Sequence, residues 1–389
     1  MASINLQGDT SGSISISAPS IAGSNTLTLP ATTQTLATQN ALGVRNLIIN
    51  GDMRVDQRNA GTSVTLAAGG TYTLDRMRVY SSGSSVLSVQ QSSDTPSGQG
   101  FSNSILITSL AATTPASTDI YFFEQRIEGY NIANLGFGTA SAKTITISFW
   151  IKSSLTGQFG GALTNDALDR SYPFSYTISS ANTWEKKTIT IAGETSGTWL
   201  TNNGRGLRCR LLDLGAGSTY VGTANSWQNA DYYGATGDVK LINTNGATVY
   251  VTGVQLEVGD TATPFEHRPY DMELARCQRY FSTSYGNNPV GTNTWDGTFA
   301  GRNYDTSSRT ENVVNIHYPV QMRAVPTLTA YSKAGTSGKL VGGSTSVDAS
   351  TTEISCSLRG SSTILRAVTG AAVGGTHWYQ FHYIASAEL

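Results

Sequence analysis

Two stretches of the chain mix aromatic, amide, carboxylate and guanidinium side chains within glycine- and asparagine-rich sequence. "SYGNNPVGTNTWDGTFAGRNYD" offers Tyr285, Trp295, Asp296, Arg302, Asn303 and Tyr304. "TWLTNNGRG" with "NSWQNADYYG" offers Trp199, Asn202, Asn203, Arg205, Trp227, Tyr232 and Tyr233. An aromatic ring stacks on the apolar C–H face of a pyranose, while amides, carboxylates and guanidiniums fork hydrogen bonds to hydroxyl pairs. Both sets read as sugar-binding surfaces, against the alternative that the aromatics are core or interface residues. The first set is preferred, because a long Gly/Asn-rich connection rarely persists for packing alone.

Signals for catalysis are poor. No G-x-S-x-G pattern occurs, and "GTSGKL" lacks both the upstream Gly and the hydroxyl residue after Lys339 that a phosphate-cradling loop needs. His377 and His382 stand five residues apart, on opposite faces of one strand, and cannot chelate together. Asp166/Asp169 and Glu124/Glu128 are acidic pairs of the kind glycoside hydrolysis uses, but loop solvation or strand-edge charge accounts for them better. No enzyme is expected. Cys209, Cys277 and Cys356 share the faces of apolar neighbours and read as reduced thiols of a protein made in a cytosol.

Lys plus Arg (25) nearly cancel Asp plus Glu (26), and only 13% of residues are charged. That balance lacks the basic footprint by which a nucleic-acid binder displaces phosphate counterions. No run approaches the roughly 18 apolar residues of a membrane span. The start, "MASINLQGDT", has neither a basic nor an apolar leader region, so no secretory signal is expected. Ser, Thr, Gly, Asn and Tyr dominate, as in all-β proteins.

The elements that must position the aromatic sets follow from periodicity. Residues 1–44 hold no aromatic residue, and their weakly alternating "SGSISISAPS" and "SNTLTLPATTQTLAT" need partners, either other copies or a larger body. Residues 45–266 carry about ten short alternating runs, from "NLIIN" through "DIYFFEQRIE", "TITISFWIKS" and "DVKLIN" to "TVYVTGVQLEV", with turns between them. This pattern predicts a jelly-roll sandwich whose first and last strands pair. Residues 267–282 read as a short helix, with Pro269 in its first turn, Asp271 and Glu273 early, and Arg276 and Arg279 late. Leu274, Cys277 and Phe281 form its apolar stripe, which must meet adjoining domains or copies of itself. Residues 283–389 return to strands and predict a second, smaller β-sandwich.

Several phrases resemble the tail-fibre and receptor-binding proteins of tailed bacteriophages. They are "NLIINGDMRVDQR", "TLDRMRVY", "QRIEG", "SAKTITISFWIKSS", "NTWEKKTITIAGETSGTW", "GVQLEVGDTATPFEHRPYDMELARCQRYF" and "YPVQMRAVPT", in family order along nearly the whole chain. The opening 44 residues are likewise similar to virion-proximal ends of such proteins. Met77 departs from the pattern, where Trp is more usual. The resemblance implies a homotrimeric fibre, with 1–44 docking on a tail or baseplate adaptor and Leu274, Cys277 and Phe281 at the trimer interface. It further implies a jelly roll like that of carbohydrate-binding modules, and a distal tip that touches a host surface glycan or protein. Such jelly rolls often hold a structural Ca²⁺. Asp52, Glu257 and Asp260 are the candidate ligands here, with ordinary turn acids the favoured alternative. The rival readings are a purely structural baseplate or collar protein and a polysaccharide-degrading tailspike.

Overall fold

The structure is a computed structural model. It describes residues 3–7, 13–17, 45–84, 86–286, 288–303, 315–343, 353–369 and 377–389. Met1–Gly43 and Val44–Leu389 form two separate compact units. In the first, Ser3–Gln7 pairs antiparallel with Ser13–Ser17, placing Ile4 opposite Ile16 and Leu6 opposite Ile14.

The second unit begins with a sandwich of two six-stranded antiparallel sheets. One sheet runs Ser171–Ile178, Gly157–Thr164, Arg205–Asp213, Tyr121–Glu128, Arg78–Ser81, Gly69–Tyr72. The other runs Glu185–Ile191, Ile145–Ser153, Thr248–Val258, Ser104–Ser109, Leu87–Ser92, Val64–Thr65. Alternation sends Phe123 and Ile127 of the first sheet and Ile147, Phe149 and Ile151 of the second into one core, with Met77 buried among them. The opposite face of the first sheet is also covered, since Phe122 packs with Tyr233 and Ala216 in a separate cluster. The free thiols of Cys209 and Cys277 are both buried, and burial pushes that of Cys209 up to about 12.

Three local readings change. "NLIIN" is irregular rather than a strand, because side chains make its bonds. Asn46 Nδ2 donates to the Val254 carbonyl at 3.0 Å, and Gln125 bonds both the N–H and the C=O of Ile49. The expected closure of the domain by its two ends survives in that form. "DVKLIN" turns as a 3₁₀ segment, Leu241–Asn243. The strands Gly157–Thr164 and Ser171–Ile178 have too much Gly and Pro to read as strands. Gly161 is required there, since a Cβ would strike backbone at Arg210 and Leu211, and Pro173 is tolerated on an edge strand.

The helix Tyr270–Gln278 follows, with Pro269 at its N-cap. Its stripe meets its own chain in part. Cys277 is buried against Ile49, Val55 and Tyr280, with half-buried Leu274 at the margin. Phe281 is buried beneath the Arg58 guanidinium, 3.7 Å from the ring centroid. The segment 49–55 presents an apolar edge at the position where the helix emerges and covers Cys277, while Leu274 stays half-buried.

Beyond the helix, the described residues form one eight-stranded sheet, in which the long strand His377–Ser386 pairs with four of the other seven. Its first half lies between Phe299–Asn303 and Lys339–Gly343, and its second between Phe281–Thr283 and Thr327–Tyr331. Tyr379, Phe381 and Tyr383 anchor the smaller core with Ile316, Tyr318 and Met322.

One buried carboxyl gives the fold a pH dependence. Asp75 accepts from Gln57 N at 2.6 Å and Gln57 Nε2 at 2.8 Å, and burial pushes it up to about 7 despite Arg58 and these bonds. Asp238 is raised the same way, to about 6. An unfolded Asp titrates near 3.9. Between roughly pH 4 and 7 the native state therefore holds protons that the unfolded chain releases, and stability falls as pH rises through that window. Thermal melting over that range is expected to show the decline, with Asp75→Asn reducing its slope. An unchanged slope in the variant would remove Asp75 as the cause.

Candidate binding surfaces

The two aromatic sets fare differently. In the second, the rings turn inward. Trp199 is buried and packs edge-on against Phe137 at 5.0 Å and Trp227 at 5.7 Å, its Nε1 donating to Ser196 O. Trp227 is half-buried against Tyr172 and donates to Ala192 O at 2.8 Å. Tyr233 is buried under the Arg210 guanidinium, and its hydroxyl donates to Asp231. Tyr232 is half-buried, and its carbonyl accepts from Arg210. Asn202 caps its own turn through Gly204 N, Asn203 O accepts from Arg323 Nη1 at 2.6 Å, and Arg205 pairs with Asp166 at 2.5 Å. Trp199 and Tyr233 are thus packed as core residues, while Trp227 and Tyr232 stay half-buried.

In the first set, Tyr285 is also a core residue. It is fully buried and stacks on His382 with centroids 4.0 Å apart. Trp295 is different: 44% of its surface is exposed. The Lys333 ammonium sits 3.4 Å from its ring centroid, a cation–π arrangement. Beside it the exposed Asp296 carboxylate accepts from Asn288 Nδ2 at 3.2 Å. The loop is tethered: His382 Nε2 lies 3.1 Å from Thr294 O, and Thr298 N donates to Trp295 O. Gly297, at φ 73°, crosses so close to Ser284 that no Cβ fits. Arg302 and Asn303 lie on the strand paired with His377–Ser386, opposite Trp378 and His377, while Tyr304 lies outside the described residues.

Asp52 pairs with Arg54, Glu257 accepts from Thr263 N and Oγ1, and Asp260 is exposed. Among the described residues no group of three His, Cys, Asp or Glu side chains is placed to hold a metal. Glu124 is clamped by Arg78 and Arg126, Glu128 by Arg279 and Tyr280, Asp166 by Arg205, and Asp169 bonds Asn165.

Sequence reasoning missed a groove of about 360 Å³ where the sandwich meets the helix, lined in part by Arg54, Asp56, Gln91, Tyr270, Leu274 and Gln278. Its exposed Tyr270 lies in a phrase already singled out, but only the fold brings 54–60 and 91 beside it.

Many of the quoted phrases converge at one junction. Asn50, at φ 60°, bonds Val55 and Asp75, and its N–H donates to Glu273. Gln57 Nε2 reaches Phe281 O, Arg323 Nε reaches Ala387 O, and Arg58 and Arg76 both pair with Glu388. These residues lock the sandwich, the helix and the C-terminal strands into one body.

No protein-family model matches the chain, and no curated protein matches it. Solved structures do. The enzymatically active domain of tailspike protein 4 of bacteriophage CBA120 is 12% identical, over 55% of this chain and 21% of that one, with a TM-score of 0.30. A CBM4 carbohydrate-binding module is 18% identical over 54% and 98%, with a TM-score of 0.27. A family 11 carbohydrate-binding module of a Clostridium thermocellum cellulase is 13% identical over 52% and 100%, with a TM-score of 0.25. The aligned part thus spans about a fifth of the tailspike chain and nearly all of each module.

Proposed function

We propose that this chain is a phage tail fibre that attaches the virion to a host cell by non-catalytic binding of a surface glycan. The observation that carries the reading is Trp295, an exposed indole on a tethered loop with an ammonium over its ring and a carboxylate–amide pair beside it. A pyranose stacks on such a ring while Asp296 accepts from, and Asn288 and Lys333 donate to, its hydroxyls. The ordered phrase resemblance supports the virion context, with assembly in the host cytoplasm and the homotrimer as the working form. Residues 1–44 dock on a tail or baseplate adaptor. The test is direct: purified protein applied to a glycan array and to host cells should bind both, and binding to neither would leave a purely structural virion part.

Deleting residues 1–44 is expected to leave the thermal transition of the remainder unchanged, since Met1–Gly43 forms its own unit. The truncated protein should fail to join particles. Sedimentation of the two forms measures the trimer at the same time. With part of the helix stripe buried in its own chain, loss of the trimer on truncation is expected, and a monomer at full length would sink the fibre reading.

A further inference from the structure

The groove between the sandwich and the helix takes no part in the tip assignment. Tyr270, Leu274 and Gln278 follow at i, i+4 and i+8, so a single helix face forms one wall. Arg54, Asp56 and Gln91 belong to the other, and the small, exposed Ala60 and Gly286 leave the groove open. A Cβ added at Gly286 would meet only open space. The charged groups of the wall are engaged by the fold. Asp56 Oδ1 accepts from Asn59 N at 3.0 Å and its Oδ2 from Gly61 N at 2.8 Å, which fixes the turn between them. Arg54 pairs with Asp52 and donates to Arg268 O at 2.7 Å. What the groove presents is therefore neutral. Tyr270 is 49% exposed, yet burial pushes its hydroxyl up, so that end of the ring faces inward. Among the described residues, neither this hydroxyl nor the Gln278 amide has a hydrogen-bond partner. Gln91 Nε2 donates to Met53 O at 2.7 Å, leaving its Oε1 to accept.

We infer that this groove binds one neutral hexose unit, its apolar face against Tyr270 and Leu274 and its hydroxyls bonded by Gln278, Gln91 and the Tyr270 hydroxyl. An aromatic ring beside an aliphatic side chain suits the C–H face of a pyranose, and each amide offers both a donor and an acceptor to its hydroxyls. A volume of about 360 Å³ lies at the lower end of small-molecule sites, roughly 300–1,000 Å³, which gives room for a sugar ring rather than a long chain. A sugar acid would gain little, since the arginine of the wall already has its counter-charge in Asp52. None of these side chains belongs to the Trp295 loop, so failure here leaves the tip assignment intact.

Saturation-transfer NMR on the full chain carrying Trp295→Ala, which silences the tip, tests it with the methyl glycosides of glucose, galactose, mannose and N-acetylglucosamine. At least one should bind saturably, and sodium glucuronate should bind no tighter. Adding Tyr270→Ala should weaken that binding about fivefold or more, the loss of one stacked ring. Adding Gln278→Ala should weaken it about threefold or more, the loss of one hydrogen-bonding amide. Alanine favours the helix at both positions, so thermal melting should be unchanged. Should Tyr270→Ala alter the melt, Gln278→Ala alone decides. No saturable binding by any of the four glycosides, tighter binding of glucuronate, or unchanged binding in a correctly folded variant would each overturn the assignment. So would dissociation of the oligomer by either substitution, which would put a second copy in the groove.

Discussion

Glu388→Ala is expected to lower stability by about 3–5 kcal/mol, the range found when one partner of a buried ion pair is removed. Arg76 is its main dependant. That side chain is 1% exposed, pairs with Glu388, donates to Arg126 O and lies over the Tyr280 ring at 3.6 Å. Glu388 is itself only 6% exposed and also holds Arg58 at 2.7 Å. Alanine at 388 therefore leaves one guanidinium buried without a counter-charge and weakens a second. Desolvation of two buried charges can exceed their mutual Coulomb attraction, so an apolar pair of similar volume should serve nearly as well. Arg76→Met with Glu388→Leu is expected to recover most of the loss, while Glu388→Gln falls between. Urea unfolding followed by tryptophan fluorescence gives the ordering, and a loss below about 1 kcal/mol for the alanine variant would show the junction to be solvated. Because these residues clamp the C-terminal strands to the sandwich, the alanine variant should also unfold in two steps.

That junction shows where sequence reading stops. The helix was legible, since its proline start, early acids, late arginines and apolar stripe all agree. What the stripe touches was not. A face of Leu274, Cys277 and Phe281 is equally apolar whether it meets Ile49 and Val55 of the same chain or a second copy, and periodicity carries no address. The sandwich was legible through its alternating strands, except where Gly160, Gly161 and Pro173 obey packing rather than propensity. The aromatic sets were legible as composition only. Trp199, Trp227 and Trp295 all sit in Gly/Asn-rich sequence, yet the first two turn under their loops while the third stays out. Glycine permits either course, so the loop's fate rests on contacts far away in sequence. For Trp295 the deciding contacts are His382 with Thr294, and Gly297 against Ser284.

Trp295→Ala is expected to abolish or greatly weaken adsorption to host cells while leaving the fold unchanged. The residue is 44% exposed, so truncation opens no cavity, and its stability cost should stay within about 0.5 kcal/mol. Its binding cost is larger. A ring stacked on a flat ligand face contributes about 1–3 kcal/mol, by analogy with bases stacked on aromatic side chains, which is roughly five- to 150-fold per site. Single sugar sites of this kind are weak, and copies engaging one surface together gain affinity through effective concentration. A loss at each site therefore compounds, and whole-particle adsorption falls further than binding of a monovalent glycan. Comparing the two measurements separates avidity from intrinsic affinity. Lys333→Gln, which keeps a donor but removes the charge over the ring, should give a smaller loss in the same direction. Tyr130→Ala is the control, a more exposed aromatic on the sandwich at 62%, and it should adsorb normally. Normal adsorption by Trp295→Ala would place the receptor contact elsewhere. If the Tyr130 variant failed instead, that contact would lie on the sandwich.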